Sequence, residues 1–164
     1  VCVGGLLSKI PYNTDTRLKN KLGKLAYYFN GIIEFPGFKP MALRITTNNQ
    51  VIEEDIYLFM ILNSNRAGGF NNLTESAKID DGLFDLIAIK AGKFYEISTF
   101  LIELFQKRHL ENENFIYLQD NYFYIESLDE NNYFSDIDGE KGPPLPLEIN
   151  VKPAAITVLE NRTD

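Results

Sequence analysis

The chain has 164 residues, enough for one domain with its own hydrophobic core, and carries a net charge of −7 at pH 7. Because an acidic chain has no general attraction for nucleic acid, nucleic-acid binding is excluded as a leading function class. The single cysteine excludes an internal disulfide framework, and we expect Cys2 to be a small buried hydrophobe in a cytoplasmic protein. No run of residues approaches the roughly 18 apolar positions of a membrane-spanning helix.

The early part of the chain predicts one helix with a basic surface. From residue 16, apolar residues recur at spacings of three and four, which is the helical period. They are Leu18, Leu22, Leu25, Ala26 and Phe29. Five basic side chains accompany them: Lys9, Arg17, Lys19, Lys21 and Lys24. These side chains form either a solvated surface or a patch that meets anionic lipid head groups or phosphates.

Two strands joined by a polar turn are predicted next. Residues 41–47 alternate between two faces, and Asn48-Asn49-Gln50 has the composition of a turn. Residues 51–62 then return as a long second strand, whose last four residues are apolar and should be central. Residues 63–72 form a polar loop, for which a surface connection is the default interpretation.

The stretch around which the chain is organised is an acidic turn, Asp80-Asp81-Gly82, followed by a predicted buried strand at residues 83–89. Glycine can take the positive φ that a tight turn needs, and Asp-Gly is a strong turn signal. The apolar run of the strand is broken only by Asp85. Two interpretations stay open at this point: a turn that feeds a core strand, or a seat for a hard cation.

A second helix is predicted at residues 95–108 from another apolar stripe of helical period. His109, the only histidine, follows this helix beside other cations, which is ordinary stabilisation of a helix C-terminus. With one histidine and one cysteine, zinc sites and histidine-dependent nucleophiles are nearly excluded.

The last third of the chain predicts an all-β body. Short segments separated by turn signals occur at residues 115–118, 122–126, 133–137, 145–151 and 155–159. Closely spaced strands of this kind indicate a sandwich or barrel, with the two helices covering its ends or one face. The fold class is therefore mainly β with two helices, in a single domain over residues 1–164.

A second acidic cluster lies within this β region. Asp138-Gly139 predicts a hairpin turn, and Glu140 follows on its far side. A carboxylate held at a rigid turn beside a cleft can accept a proton from a substrate hydroxyl. An exposed surface glutamate is the alternative interpretation.

Four segments, in this order, resemble motifs of the C-terminal domain of the diacylglycerol kinase-like lipid kinases, which include bacterial soluble diacylglycerol kinase and the YegS-type lipid kinases. Residues 21–28 are similar to a lysine- and glycine-containing helix motif that ends in Ala-Tyr. Residues 63–69 are similar to an asparagine-rich, glycine-containing loop. Residues 77–86 resemble an Ala-x-x-Asp-Asp-Gly-x-x-Asp segment, and residues 138–140 an Asp-Gly-Glu signature followed by a proline-rich turn.

The resemblance implies a two-domain kinase with its active site in the cleft between the domains. In that family the N-terminal domain binds ATP and carries a Gly-Gly-Asp-Gly-Thr motif, which this sequence does not contain. The chain is thus expected to be the β-sandwich-like half, inactive alone, with the ATP-binding domain absent from it. The implied reaction transfers the γ-phosphoryl group of ATP to a lipid hydroxyl, with diacylglycerol first among lipid alcohols. The implied protein is cytoplasmic, peripherally associated with the membrane, and compatible with a homodimer.

The resemblance also implies roles for particular residues. Glu140 aligns with the acidic residue assigned as general base. A structural cation site aligns with the Asp81 carboxylate and the backbone carbonyls of Lys78 and Leu83, completed by water. The neighbouring acids Asp80 and Asp85 carry less weight. Ligands that are all oxygen suit Mg²⁺, or Ca²⁺, rather than zinc. The alternatives are a non-catalytic module that binds a lipid or membrane surface, and a β-sandwich interaction domain without a ligand.

Overall fold

The computed structural model describes residues 1–5, 39–64, 66–67, 70–71, 77–93, 96, 99, 103 and 111–157. The predicted first helix, with its basic side chains, lies outside these residues, as does His109. Of the second predicted helix, Glu96, Thr99 and Glu103 are described, and all three are helical.

The described residues are dominated by β-structure, as the pattern of short segments and turns predicts. The strands are β1 (Cys2–Gly5), β2 (Met41–Thr46), β3 (Val51–Leu62), β4 (Arg66–Ala67), β5 (Phe70–Asn71), β6 (Phe84–Lys90), β7 (Phe115–Asp120), β8 (Tyr122–Ser127), β9 (Phe134–Ile137), β10 (Glu140–Pro144) and β11 (Leu147–Asn150). Nine of them form one antiparallel sheet, and β4 pairs with β5 separately. The prediction of a mainly β fold is confirmed.

Two details of the predicted strands differ from the structure. Strand β10 is not predicted from the sequence, because Pro143 and Pro144 cannot donate ladder hydrogen bonds and proline is rare in strands. The predicted strand at residues 155–159 is wrong over its described part, residues 155–157, which are irregular. A turn at Pro153–Ala154, with Ala154 at a φ of 51°, redirects the chain just before it.

Strand β3 is the central strand of the sheet. Its first half pairs with β2, from Val51 opposite Thr46 to Ile56 opposite Met41. Its second half pairs with β1 and with β6. Strands β9 and β10 extend the sheet beyond β1, and β8 and β11 extend it beyond β2. The irregular register of β6 near Ile56 lies where β3 changes partners.

One face of the sheet carries the core. Twelve buried residues of the described chain form a single cluster: Met41, Leu43, Ile45, Ile56, Phe59, Ile61, Leu86, Ala88, Leu118, Phe123, Ile125 and Leu147. Burying one such side chain fully is worth about 1.5–3 kcal/mol. Strands β7 and β11 both contribute, although four strands separate them along the pairing path. The sheet therefore curls over this cluster, which is the sandwich-like or barrel-like body that the sequence predicts.

The opposite face of β3 and β6 is also covered. Leu62 and Ile87 are buried there, and Met60, Phe115 and Tyr117 pack against them. Because β6 is buried on both faces, its sequence is an almost continuous apolar run instead of an alternating one. This explains why the strand after the acidic turn could be identified from its residues, and its predicted burial is confirmed.

Asp120 links the end of β7 to the turn between β2 and β3. Its side chain is 4% exposed. Its carboxylate accepts hydrogen bonds from the Asn48 amide N–H (3.2 Å) and the side-chain nitrogens of Asn48 (2.6 Å) and Asn49 (2.9 Å). The backbone N–H groups of Asn121 and Tyr122 donate to it as well. Burial alone would raise the pKa of Asp120, but these hydrogen bonds outweigh burial and lower it.

Candidate active site and cation site

The register of the sheet brings the two acidic segments to the same end of the molecule. Glu140 lies opposite Ile137, and Ile137 lies opposite Cys2 on the next strand. Cys2 lies opposite Ile61, and Ile61 opposite Leu86. Glu140 and Leu86 therefore stand in one cross-strand row, four strand spacings apart. At 4.7–4.9 Å per spacing, a flat sheet would separate their backbones by about 19 Å, and curling brings them closer.

The acidic turn belongs to the same end, because Leu86 follows Leu83 by only three residues. Strand β3 ends at Leu62, opposite Asp85, so the polar segment that begins at Asn63 leaves the sheet there too. This juxtaposition depends on antiparallel pairing between residues far apart in sequence. The sequence alone contains no signal for it.

The hairpin that carries Glu140 has the predicted two-residue turn. Asp138 and Gly139 have φ values of 53° and 90°, and positive φ at both central positions is typical of a type I′ turn. The Gly139 N–H donates to the Asp136 carboxylate (2.7 Å), and the Asp138 N–H donates to the Val1 carbonyl (2.9 Å). The turn is thus fixed both to its own strand and to the residue just before β1.

Glu140 is the first residue of β10, and its side chain is exposed. Within the described part of the chain, no hydrogen bond or ion pair is formed by its carboxylate. On the same face of the sheet, Ile137 is 43% exposed, and Cys2 packs against the core. The pKa of the Cys2 thiol is raised to about 11, mainly by burial and to a lesser extent by the carboxylates of Asp136 and Asp138, against the lowering effect of the N-terminal ammonium group. Cys2 is thus protonated and not a nucleophile. It packs as an apolar side chain, as predicted, but it is half-buried instead of fully buried.

The candidate cation residues form a tight, exposed turn. The Asp81 carboxylate accepts a hydrogen bond from the Leu83 N–H (3.0 Å), which closes a small ring around Gly82. Gly82 has a φ of +74°, the left-handed conformation that glycine tolerates, and it lies beside the Pro153 ring. Lys78 and Asp81 are exposed, and Leu83 is half-buried.

Asp85, to which the sequence gives less weight than Asp81, stands out among the carboxylates near this turn by its burial. It is fully buried (0% exposed). One of its oxygens, Oδ1, accepts a hydrogen bond from the Tyr117 hydroxyl and a long one from Gln119 (3.4 Å). The other oxygen, Oδ2, has no hydrogen-bond partner. Burial raises the pKa of Asp85, and the negative charge of Asp81 raises it further.

These observations fit a hard cation at the turn. Two acids close enough to interact electrostatically leave negative charge that no described cation neutralises, and one of them has an unpaired buried oxygen. Among residues the structure describes, no three acidic, histidine or cysteine side chains converge on a metal-sized site. A site built from one carboxylate and two backbone carbonyls uses only one such side chain and is compatible with that finding. Lys78, Asp81 and Leu83 thus remain the predicted ligands.

Other candidates fall outside this end of the sheet or outside the described residues. The loop at residues 63–72 is described only in part, so its resemblance to the family's loop stays a prediction. In the described segments, no helix is long and apolar enough to cross a membrane. The sequence signal for Asp85 is its position, a lone carboxylate inside an otherwise apolar buried strand.

Nearly the whole chain, including these two acidic segments, matches one known family of domains. Residues 8–160 match the YegS C-terminal NAD kinase beta sandwich-like domain. The chain therefore belongs to this family of domains.

Individual proteins are also similar to this chain in sequence and in structure. A diacylglycerol kinase from Staphylococcus haemolyticus is 33% identical over 153 residues, which are 93% of this chain and 46% of that protein. A diacylglycerol kinase from Bacillus subtilis is 29% identical over 145 residues, which are 88% of this chain and 47% of that protein. The crystal structure of a diacylglycerol kinase from Bacillus anthracis superposes with a TM-score of 0.67 at 28% identity, covering 93% of this chain and 49% of that one. The chain thus spans about half the length of the relatives it matches.

Proposed function

We propose that this chain is the β-sandwich domain of an ATP-dependent lipid kinase that phosphorylates the free hydroxyl of diacylglycerol. The observation that carries the proposal is the placement of Glu140 on a type I′ hairpin at the same end of the sheet as the acidic turn. The names of the relatives support both the reaction class and the acceptor. ATP would be bound mainly by a second domain, since about half of each relative lies outside the matched region.

In the proposed reaction, Glu140 is the general base. Its carboxylate takes the proton of the acceptor hydroxyl while the hydroxyl oxygen bonds to the γ-phosphorus of ATP. The bond from that phosphorus to the oxygen bridging the β- and γ-phosphates breaks, and ADP leaves. The exposed side chain and short hairpin suit this role, because the carboxylate can reach a hydroxyl presented from a membrane surface or a partner domain.

The acidic turn has a structural part in the same proposal. The Asp81 carboxylate and the carbonyls of Lys78 and Leu83 would hold Mg²⁺, or Ca²⁺, with water completing the shell. When bound, the cation supplies positive charge that offsets the carboxylates of Asp81 and Asp85. Its effect on the protein is to fix the loop before β6 and, with it, the end of the sheet that holds Glu140.

The test is a product assay with the whole protein, ATP labelled at the γ-position and dispersed diacylglycerol. We expect labelled phosphatidic acid from the whole protein and none from the 164-residue chain alone. Triacylglycerol, which has no free hydroxyl, is the matched acceptor control and should give no labelled lipid. If the whole protein binds diacylglycerol vesicles but transfers no phosphate, the kinase proposal is wrong and a lipid-binding module is the better interpretation.

A further inference from the structure

The hairpin that carries Glu140 is held together in an unusual way. Its ladder is regular only near the turn, where Glu140 lies opposite Ile137 and Lys141 opposite Asp136. The register then shifts before Pro144 pairs with Phe134. Because proline has no N–H, β10 donates nothing from positions 143 and 144. Beyond these prolines, the Leu145 N–H donates a backbone hydrogen bond to the carbonyl of Tyr133, just before β9 (2.8 Å).

Ser135 supplies the missing connection. Its side chain is 2% exposed, and its hydroxyl donates to the Pro143 carbonyl (2.8 Å), bridging the two strands where the ladder is irregular. This side-chain hydrogen bond uses the Pro143 carbonyl as acceptor and joins the strands at a position where proline has no N–H to donate. Ser135 therefore holds the second half of β10 against β9.

Gly142 completes the contact by leaving room for that hydroxyl. A Cβ atom at position 142 would overlap the Ser135 Oγ atom and would come within 3.0 Å of Ile137. Gly142 is not in the left-handed region, so close packing, not backbone conformation, favours glycine there. Ser135 and Gly142 thus fit together as an interlocked pair across the strands.

The pair lies on the same face of the hairpin as Glu140. Side chains alternate along a strand, so Ser135 shares a face with Ile137, and Gly142 shares it with Glu140. In the described chain the Glu140 carboxylate has no hydrogen-bond or ion-pair partner, so the hairpin backbone alone sets where the side chain starts and in which direction its Cα–Cβ bond points. That backbone is fixed by the turn at one end and by the interlocked pair at the other.

We propose that Ser135 is a positioning residue for catalysis: interlocked with Gly142, it fixes the path of β10 and thereby the direction of Glu140. The inference rests on the proposed function of Glu140. A misplacement of about 1 Å can lower a catalytic rate by about 10²-fold even when the residue that moved is not itself reactive. The pair should therefore affect kcat more than substrate binding.

The experiment uses the whole protein and four variants: Gly142→Ala, Ser135→Ala, the double variant of both, and Ser127→Ala as the control. Ser127 is half-buried on β8, and its hydroxyl is hydrogen-bonded to Asp129, so the control loses a comparable bond away from the hairpin. The readouts are kcat, the KM for ATP and the melting temperature, measured with dispersed diacylglycerol.

We expect Gly142→Ala to lower kcat by about 10- to 100-fold, with the KM for ATP changed less than about twofold. Ser135→Ala should lower kcat by a smaller factor. In the double variant, the Cβ atom added at position 142 no longer meets an Oγ atom and keeps only the tight contact with Ile137, so kcat should rise above that of Gly142→Ala, towards that of Ser135→Ala. The control should keep the wild-type kcat. If all the single variants lose melting temperature equally and keep the wild-type kcat, the proposal is overturned and the pair has a purely structural role.

Glu140→Gln separates this inference from the proposal on which it rests. If Glu140→Gln keeps the wild-type kcat, the general-base assignment fails, whatever the hairpin variants do. If it loses activity while Gly142→Ala keeps the wild-type kcat, only the positioning role of Ser135 fails. Where both hold, adding Gly142→Ala to Glu140→Gln should lower kcat no further, because there is no carboxylate left to misplace.

Discussion

Asp120→Asn is the substitution whose effect on stability follows most directly from the structure. In the wild type, Oδ1 accepts three hydrogen bonds and Oδ2 accepts two, from Asn48 (3.2 Å) and Asn49 (2.9 Å). An amide in the best orientation keeps the first three and turns its NH₂ group towards the other two donors. Losing two hydrogen bonds to a charged group, at about 1.5 kcal/mol each, costs about 3 kcal/mol. For a domain of this size, the melting temperature should fall by about 6–12 °C.

The assay is calorimetric unfolding at several pH values, with Glu130→Gln, an exposed acid, as the control. The hydrogen bonds hold the pKa of Asp120 below its ordinary value of 3.8, in spite of burial. Stability from its carboxylate is therefore fully present above pH 3.8 and is lost as the pH falls below it. The difference between wild type and Asp120→Asn should shrink in that acid range. A difference under about 0.5 kcal/mol at pH 7, within the range of surface substitutions, would refute the reasoning.

Three further predictions concern the site and its support. Asp81→Asn should abolish the stabilisation by Mg²⁺ or Ca²⁺, which at a hundred times Kd is about 2.7 kcal/mol and is measured as a rise in melting temperature. Asp80→Asn should keep that stabilisation, and equal responses of the two variants would remove Asp81 from the site. Gly4→Ala places a Cβ atom against the Phe59 ring and should lower the free energy of unfolding by about 1–3 kcal/mol, as measured by urea unfolding. An unchanged urea midpoint would contradict that packing. Because folding raises the pKa of the Cys2 thiol to about 11, the folded protein should react with iodoacetamide at pH 8 about 100-fold more slowly than the chain unfolded in urea. Comparable rates for the folded and unfolded chains would show that folding does not raise this pKa.

The sequence predicts the elements of this fold better than their arrangement. The bounds of β3 match the predicted residues 51–62, because a long apolar segment between two turns leaves little choice. The Asp138-Gly139 turn also follows from local chemistry, since few dipeptides tolerate positive φ at both positions. Strand β10 escapes prediction because its prolines contradict every local strand signal, and the side chain of Ser135 adds a connection between its second half and β9 that no strand signal reveals.

What the sequence could not predict is long-range. That Glu140 and the acidic turn share one end of the sheet depends on four successive pairings between strands distant in the chain. The complete burial of Asp85 depends likewise on pairing with β7, whose Tyr117 and Gln119 side chains are hydrogen-bonded to its carboxylate. Residues 138–140 and 80–82 could be identified from sequence as two acidic turns, but their common location needed the tertiary fold.

The measurement that tests the central claim most directly is the turnover of the whole protein carrying Glu140→Gln, with ATP and diacylglycerol both saturating. A general base typically contributes about 10²–10⁴-fold, so kcat should fall by that factor, with the melting temperature and the KM for ATP close to those of the wild type. Glu148→Gln, on the exposed side of β11, should turn over like the wild type. Wild-type turnover by Glu140→Gln would contradict the claim that this hairpin delivers the catalytic carboxylate.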